Sequence, residues 1–148
     1  LSFPLLSYSS RTLQIYYHLI VLSYKKLHLN QKSTVDLIDG LDDEIFLIFD
    51  DNCVLEVENE EIQKNLIENY KPEKIYLYAK SLTNALKKVD SDGYVVENLD
   101  RGQYVEVYTP LICQSEYIES YFKKYQYWSL DRFVELNEDK IEFYLSNL

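Results

Sequence analysis

The chain has no methionine, three glycines, three prolines, two cysteines, two histidines and one tryptophan among 148 residues. Each scarcity excludes something. Three glycines make no Gly-rich loop, so a phosphate cradle of the nucleotide-binding kind is not expected. Two cysteines 60 residues apart, Cys53 and Cys113, form no CxxC pair and cannot supply a four-thiolate zinc site. Two histidines, His18 and His28, both lie in the first fifth of the chain, so no Ser/His/Asp order is readable. The longest apolar run, Leu13 to Tyr24, is interrupted by Gln14 and His18 and is too short to cross a bilayer. Leu1 to Leu6 lacks the basic start of a secretory signal. These features lead us to expect an intracellular protein with reduced, inert thiols and no cofactor.

Positive charge is also missing from one long stretch. Between Lys32 and Lys64 there is no lysine or arginine, yet there are eleven carboxylates. Net charge is accordingly uneven: +4 over residues 1–32, −11 over 33–63 and −3 over 64–148, for −10 in all. An acidic chain repels phosphate, so direct nucleic-acid binding through a general basic footprint is disfavoured. In the middle of the acid sits the most apolar run of the chain, Ile45 to Phe49.

What is abundant is tyrosine, at 15 residues. A phenol gives contact area with a polar tip, which suits half-buried positions and binding surfaces alike.

Read in order, Leu13, Tyr16, Tyr17, Ile20, Tyr24 and Leu27 follow helical spacing and predict a helix over 12–27. A short helix follows Ser33 or Thr34 and stops at Gly40. Residues 44–49 are apolar on both faces, which predicts a central strand. Asp50-Asp51-Asn52 is turn chemistry, and Cys53–Glu58 alternates, so 44–58 reads as a hairpin. Helix 60–70 begins after a capping Asn59, with Glu60 and Glu61 favoured by the helix dipole. Strand 74–79 and helix 82–90 come next, then a second hairpin over 94–109 around Asp100-Arg101-Gly102, closed by Pro110. Helices over 116–148 end the chain. The expectation is one α+β domain, 1–148, with about five mostly antiparallel strands (two hairpins plus one central strand) and helices packed on the sheet.

Three catalytic or ligand patterns were weighed on the residues. Asp50, Asp51, Glu56 and Glu58 invite a divalent-metal nuclease reading. The usual lysine two residues after an acid is missing, since the tripeptide is Glu56-Val57-Glu58. On a hairpin Asp50 and Glu56 also lie roughly 10 Å apart along the strand, whereas magnesium holds its oxygens at about 2.1 Å. Arg11 and His18 are spaced by six residues, and this pair resembles that of helical RNases of the HEPN type. That resemblance implies RNA cleavage, though it covers eight residues and the rest is not an all-helical pattern. Asp90-Ser91-Asp92-Gly93 fails as a calcium loop, because its first and twelfth positions are Lys88 and Leu99. No metal site and no catalytic residue are therefore expected.

The carboxylates carry the remaining reading. Asp42, Asp43, Asp50, Asp51, Glu56 and Glu58, set on a sheet edge and a helix start, imitate a row of phosphates. Such a nucleic-acid mimic would meet the basic surface of a nucleic-acid-handling protein, as a virus- or plasmid-type inhibitor does. The alternatives are a generic structural or oligomeric interaction protein, with self-association, and a divalent-metal or HEPN-like nuclease. As turn residues these aspartates should be replaceable by asparagine.

Overall fold

The computed structural model describes residues 22–33, 44–54 and 56–146. Its organising element is a ten-residue strand, β6 (Val105–Gln114), at the centre of a five-stranded sheet. On one side of it lie β2 (Ile45–Phe49) and then β1 (Lys25–His28). On the other lie β3 (Ile75–Ser81) and then β7 (Ile141–Ser146). Strand β6 is antiparallel to both neighbours, while β1 is parallel to β2 and β7 is parallel to β3. The sheet is thus mixed, and the expected mostly antiparallel sheet of two hairpins plus a central strand is overturned.

Side chains on the sheet alternate strictly, as the pleat requires. Phe46, Ile48, Ile75, Leu77, Leu111 and Cys113 point to one face and join one buried cluster. That face is covered by α2 (Ser115–Lys124) through Ile118, Tyr121 and Phe122, and by α3 (Leu130–Leu136) through Leu130 and Phe133. Leu47, Phe49, Tyr76, Tyr78 and Ile112 point the other way and meet Ile62 and Leu66 of α1 (Glu56–Glu68). Both faces of β2 and β3 are buried, as their unbroken apolar runs foretell.

Several expected elements change type, each for a local reason. The 44–58 hairpin does not form. After Phe49 the chain turns at Asp50–Asn52 and makes a single bridge from Cys53 to Thr109. It then enters α1 at Glu56, so Asn59 lies inside the helix rather than at its cap. Acids at its start, Glu56 and Glu58 to Glu61, suit the positive end of a helix dipole, and this outweighs the short period-two pattern. The 82–90 helix is instead a strand, β4 (Leu86–Val89). It pairs antiparallel with β5 (Val95–Leu99) across the Asp90–Gly93 turn. There Asp90 Oδ1 accepts from the amides of Asp92 (2.9 Å) and Tyr94 (3.0 Å), and Gly93 takes φ 88°. Val95–Leu99 therefore pairs backwards, not with the residues that follow it, and the expected 94–109 hairpin is absent. A 3-10 turn at Arg101–Gln103 leads into β6.

Pro110 does not close a hairpin but sits within β6. The register shifts between Leu77 and Tyr78, so that Leu77 opposes Leu111 while Tyr78 opposes Tyr108. A bulge tolerates a residue without an N–H in mid-sheet. Residues 141–146 are strand rather than helix, because the period of Ile141, Tyr144 and Leu145 is too short to outvote pairing along β3. Lys25–His28 is likewise strand, and residues 22–24 are not helical, where the 12–27 helix was expected; residues 12–21 of that helix, the 34–40 segment, Arg11, His18, Asp42 and Asp43 lie outside the described residues.

Candidate functional site

Strands β1 and β2 run in the same direction, so their carboxyl ends and the loops that follow lie side by side. After β1, Leu29 N–H binds Phe49 O at 2.8 Å, and Asn30 closes a turn with its side chain accepting from Lys32 N–H. After β2, Asp50 Oδ1 accepts from Asn52 N–H at 2.8 Å. Between these loops and the start of α3 is a cavity of about 480 Å³. Crevices outside the carboxyl ends of parallel strands are where open α/β sheets bind their ligands.

Asp50 is the knot of this site. Its Oδ1 also accepts from Thr109 Oγ1 at 2.9 Å, and its Oδ2 accepts from Trp128 Nε1 at 2.8 Å. Its own N–H donates to Thr109 Oγ1 at 3.2 Å. Thr109 is fully buried at the bulge. There its backbone leaves β3 and bonds to the β2–α1 connection: its N–H to Asn52 O, and its carbonyl from Val54 N–H. One carboxylate thus ties the end of β2 to the middle of β6 and to the segment before α3.

Trp128 is held from behind as well. The Tyr121 hydroxyl donates to Tyr127 O (2.6 Å) and accepts from Ser129 N–H (2.8 Å). The indole packs against Tyr121 and Phe133, with ring centres 5.1 and 5.2 Å away. Ser129 then caps α3, accepting from Arg132 N–H. The indole and its neighbours Val107, Leu130 and Val134 give the crevice its apolar side. The polar side is Asn30, Gln31 and Asn52 with the carboxylates of Asp50, Asp51 and Asp131. Among the described residues no lysine or arginine lines it.

On the other side of Asp50 a second cavity, about 490 Å³, lies between β1 and α1. Lys26 and His28 face Glu60 and Gln63 across it. His28 stacks on Phe49 at 5.0 Å. Cys53 lines this cavity, and Asn59 Nδ2 donates to its Sγ. Burial raises the Cys53 thiol above its ordinary value, partly offset by that hydrogen bond. Cys113, fully buried in the sheet, is pushed up further by burial alone. Both are free thiols.

Of the six candidate carboxylates, Asp50 and Asp51 are the two whose side chains the structure describes. Asp50 faces inward and is bonded on both oxygens, while Asp51 is exposed on the crevice wall. Glu56 and Glu58 belong to the first turns of α1. The structure adds Thr109, Trp128 and Asp131, which pattern reading passed over. Two signals were present: a lone tryptophan beside a helix cap, and a proline inside an otherwise strand-like run. Among the described residues no group of three or more His, Cys, Asp or Glu side chains is placed to hold a metal ion, and no helix is long and apolar enough to cross a membrane.

Comparison with known proteins points to one scaffold. The chain shares its fold with a 4-diphosphocytidyl-2C-methyl-D-erythritol synthase from Anaerococcus prevotii. The TM-score is 0.55 and the identity 18%, over 74% of this chain and 52% of that one. A second structure with the same name gives a TM-score of 0.53 at 19% identity, over 76% of this chain and 50% of the other. The chain therefore spans about half the length of the solved proteins it matches. At such identity the likeness is one of fold. No family model and no curated protein matches the sequence.

Proposed function

We propose that the chain binds a hydroxyl-rich small molecule, of the polyol kind found in cytidylyl-linked compounds, in the crevice between the β1 and β2 loops and α3. One observation carries this reading: the cavity lies outside the carboxyl ends of two adjacent parallel strands and is lined by amides and carboxylates against an indole. Its volume falls in the range of small-molecule sites, roughly 300–1,000 Å³. Carboxylates accept hydroxyl protons, and amides both donate and accept. Three carboxylates without a base repel a bare diphosphate. The polyol end is thus the part that fits, with the charged remainder outside. The scaffold shared with synthases named for a diphosphocytidyl polyol supports the same ligand class.

The test uses Trp128, the one tryptophan. Free erythritol, cytidine diphosphate and a cytidine-diphosphate-linked polyol are titrated while its fluorescence is followed. The polyol-bearing compounds should give a saturable change that Asp131→Ala weakens at least fivefold. The reading fails if none of them saturates at about 10 mM, where binding would contribute less than about 3 kcal/mol.

A second reading is favoured by the charge of the same wall. Asp51 and Asp131 line the crevice without a base among its described residues, and Glu60 and Glu61 are exposed on α1 beyond it. In this reading the chain is a non-catalytic interaction protein that takes a basic surface of a nucleic-acid-handling partner. Association should then slow steeply with salt. It should slow again when Asp51, Asp131, Glu60 and Glu61 are neutralised; partner capture indifferent to both changes removes this reading.

A further inference from the structure

The cavity between β1 and α1 differs in chemistry from the crevice on the other side of Asp50. Along β1 the pleat sends Leu27 to the cluster under α2 and α3, so Lys26 and His28 share the opposite face, toward α1. Phe49 of β2 holds both of them. His28 stacks on its ring with 15° between the planes, and Lys26 Nζ stands 5.9 Å from the ring centre. An ammonium and an imidazole N–H make this wall one of donors.

The α1 wall is one of acceptors. Asn59 and Gln63, four residues apart, share a face of the helix, with Glu60 beside them. Gln63 Nε2 donates to Asn59 Oδ1 at 2.7 Å, and Asn59 Nδ2 donates to Cys53 Sγ at 3.1 Å. This relay orients both amides and leaves Gln63 Oε1 without a donor among the described residues. Lys26 and Glu60 line opposite walls, yet among the described residues neither makes an ion pair. The charged groups sit at the mouth: Lys26, His28 and Glu60 are exposed, whereas Cys53, Asn59 and Gln63 are half-buried and Phe49 is buried. Asp50, the remaining carboxylate, already has both oxygens bonded to Thr109 and Trp128.

We propose that this cavity binds a free α-amino acid with an uncharged side chain. A cation and an anion left unpaired on facing walls call for a ligand that carries both charges. The ligand carboxylate meets Lys26 and His28; its ammonium, with three N–H donors, meets Glu60 and Gln63 Oε1. A simple anion would be repelled by Glu60, and a simple cation by Lys26. The side chain then points inward, beside Phe49 and a Cys53 thiol that burial keeps protonated. A charged side chain there would be desolvated without a partner. The volume of about 490 Å³ suits a small molecule fixed by a few polar groups.

The test is calorimetric titration of the full chain with L-methionine, its methyl ester, its N-acetyl derivative and L-glutamate. L-Methionine should saturate one site per chain below about 10 mM. The ester lacks the carboxylate, the N-acetyl compound lacks the ammonium, and L-glutamate would bury a charge; each should bind at least tenfold more weakly. Lys26→Gln and Glu60→Gln, both at exposed positions, should each weaken L-methionine at least tenfold with an unchanged circular-dichroism spectrum. Asp131→Ala, in the crevice, should leave it unchanged, so this site and the polyol site are judged separately. The proposal is overturned if L-methionine does not saturate, if a blocked analogue or L-glutamate binds as tightly, or if Asp131→Ala abolishes binding. Folded Lys26→Gln and Glu60→Gln variants that bind like the wild type overturn it as well.

Discussion

Removing the Asp50 carboxylate tests the knot that shapes the crevice. In Asp50→Ala the buried Thr109 hydroxyl and the nearly buried Trp128 N–H both lose their acceptor. A buried donor left unpaired costs about 1–3 kcal/mol. Water in the crevice reaches the indole more readily than it reaches Thr109, which sits at the bulge with no exposed surface. The sum is therefore about 2–4 kcal/mol rather than the upper limit. For a chain of 148 residues each kcal/mol moves the melting midpoint by about 2–4 °C, so a fall of about 4–16 °C is expected. Asp50→Asn keeps one acceptor oxygen and should lose about half as much. This revises the expectation that asparagine serves as well as aspartate at this turn. It does serve for the Asn52 amide, but a single oxygen cannot accept from both Thr109 and Trp128 in the observed arrangement.

The assay is urea unfolding followed in parallel by Trp128 fluorescence and by circular dichroism. Asp51→Ala is the control, because Asp51 is exposed and its loss should stay within about 0.5 kcal/mol. If Asp50→Ala and Asp51→Ala unfold at the same midpoint, the bonds from Thr109 and Trp128 to Asp50 do not exist in solution. A double-mutant cycle with Trp128→Phe separates the indole bond. On the phenylalanine background, the cost of Asp50→Ala should shrink by about 1 kcal/mol or more.

Two further outcomes follow from burial. The Tyr78 hydroxyl is fully buried and has no hydrogen-bond partner among the described residues, so Tyr78→Phe should leave stability unchanged or raise it by about 1 kcal/mol; a loss of 1 kcal/mol or more would show that the hydroxyl is satisfied. Cys53, Cys113, Tyr70, Tyr108, Tyr117 and Tyr121 are all raised by burial above thiol or phenol values of 9.0 and 10.0. Groups raised in the folded state stabilise it fully below their unfolded values, and that contribution is lost as pH climbs past them. The melting midpoint should therefore fall from about pH 9 upward, less steeply in Cys113→Ala, and a thiol reagent should modify Cys53 in the native protein but Cys113 only on unfolding.

The sequence displayed its buried strands more clearly than its pairings. Ile45–Phe49 and Ile75–Ala79 are apolar on both faces, and no other element explains such runs. Ile118, Tyr121 and Phe122 likewise announced the buried side of α2. Direction was not legible, because a strand's own residues do not say whether its neighbour runs parallel or antiparallel. Leu86 to Val89 is four residues long, too short for a period of 2 to be told from one of 3.6. The Ser115 hydroxyl at the start of α2 accepts from Glu44 N–H, 71 residues away in the sequence. The Asp50–Thr109–Trp128 contact spans 59 and 78 residues of sequence, and nothing local encodes it. What was visible was chemical incongruity: a proline within β6, and an aspartate placed directly after a fully buried strand.

The acidic block also changes meaning once folded. Along the sequence it is a single unbroken charge, but the fold divides it into different tasks. Glu44 pairs with Lys25 across the parallel β1–β2 seam at 2.6 Å. Asp50 turns inward as a structural acceptor, Asp51 lines the crevice, and Glu60 and Glu61 sit in the first turns of α1. Strand β6 runs past several of these features. Its first residue, Val105, adjoins the exposed hairpin; Val107 lines the crevice; Thr109 carries the knot; Leu111 to Cys113 form the core.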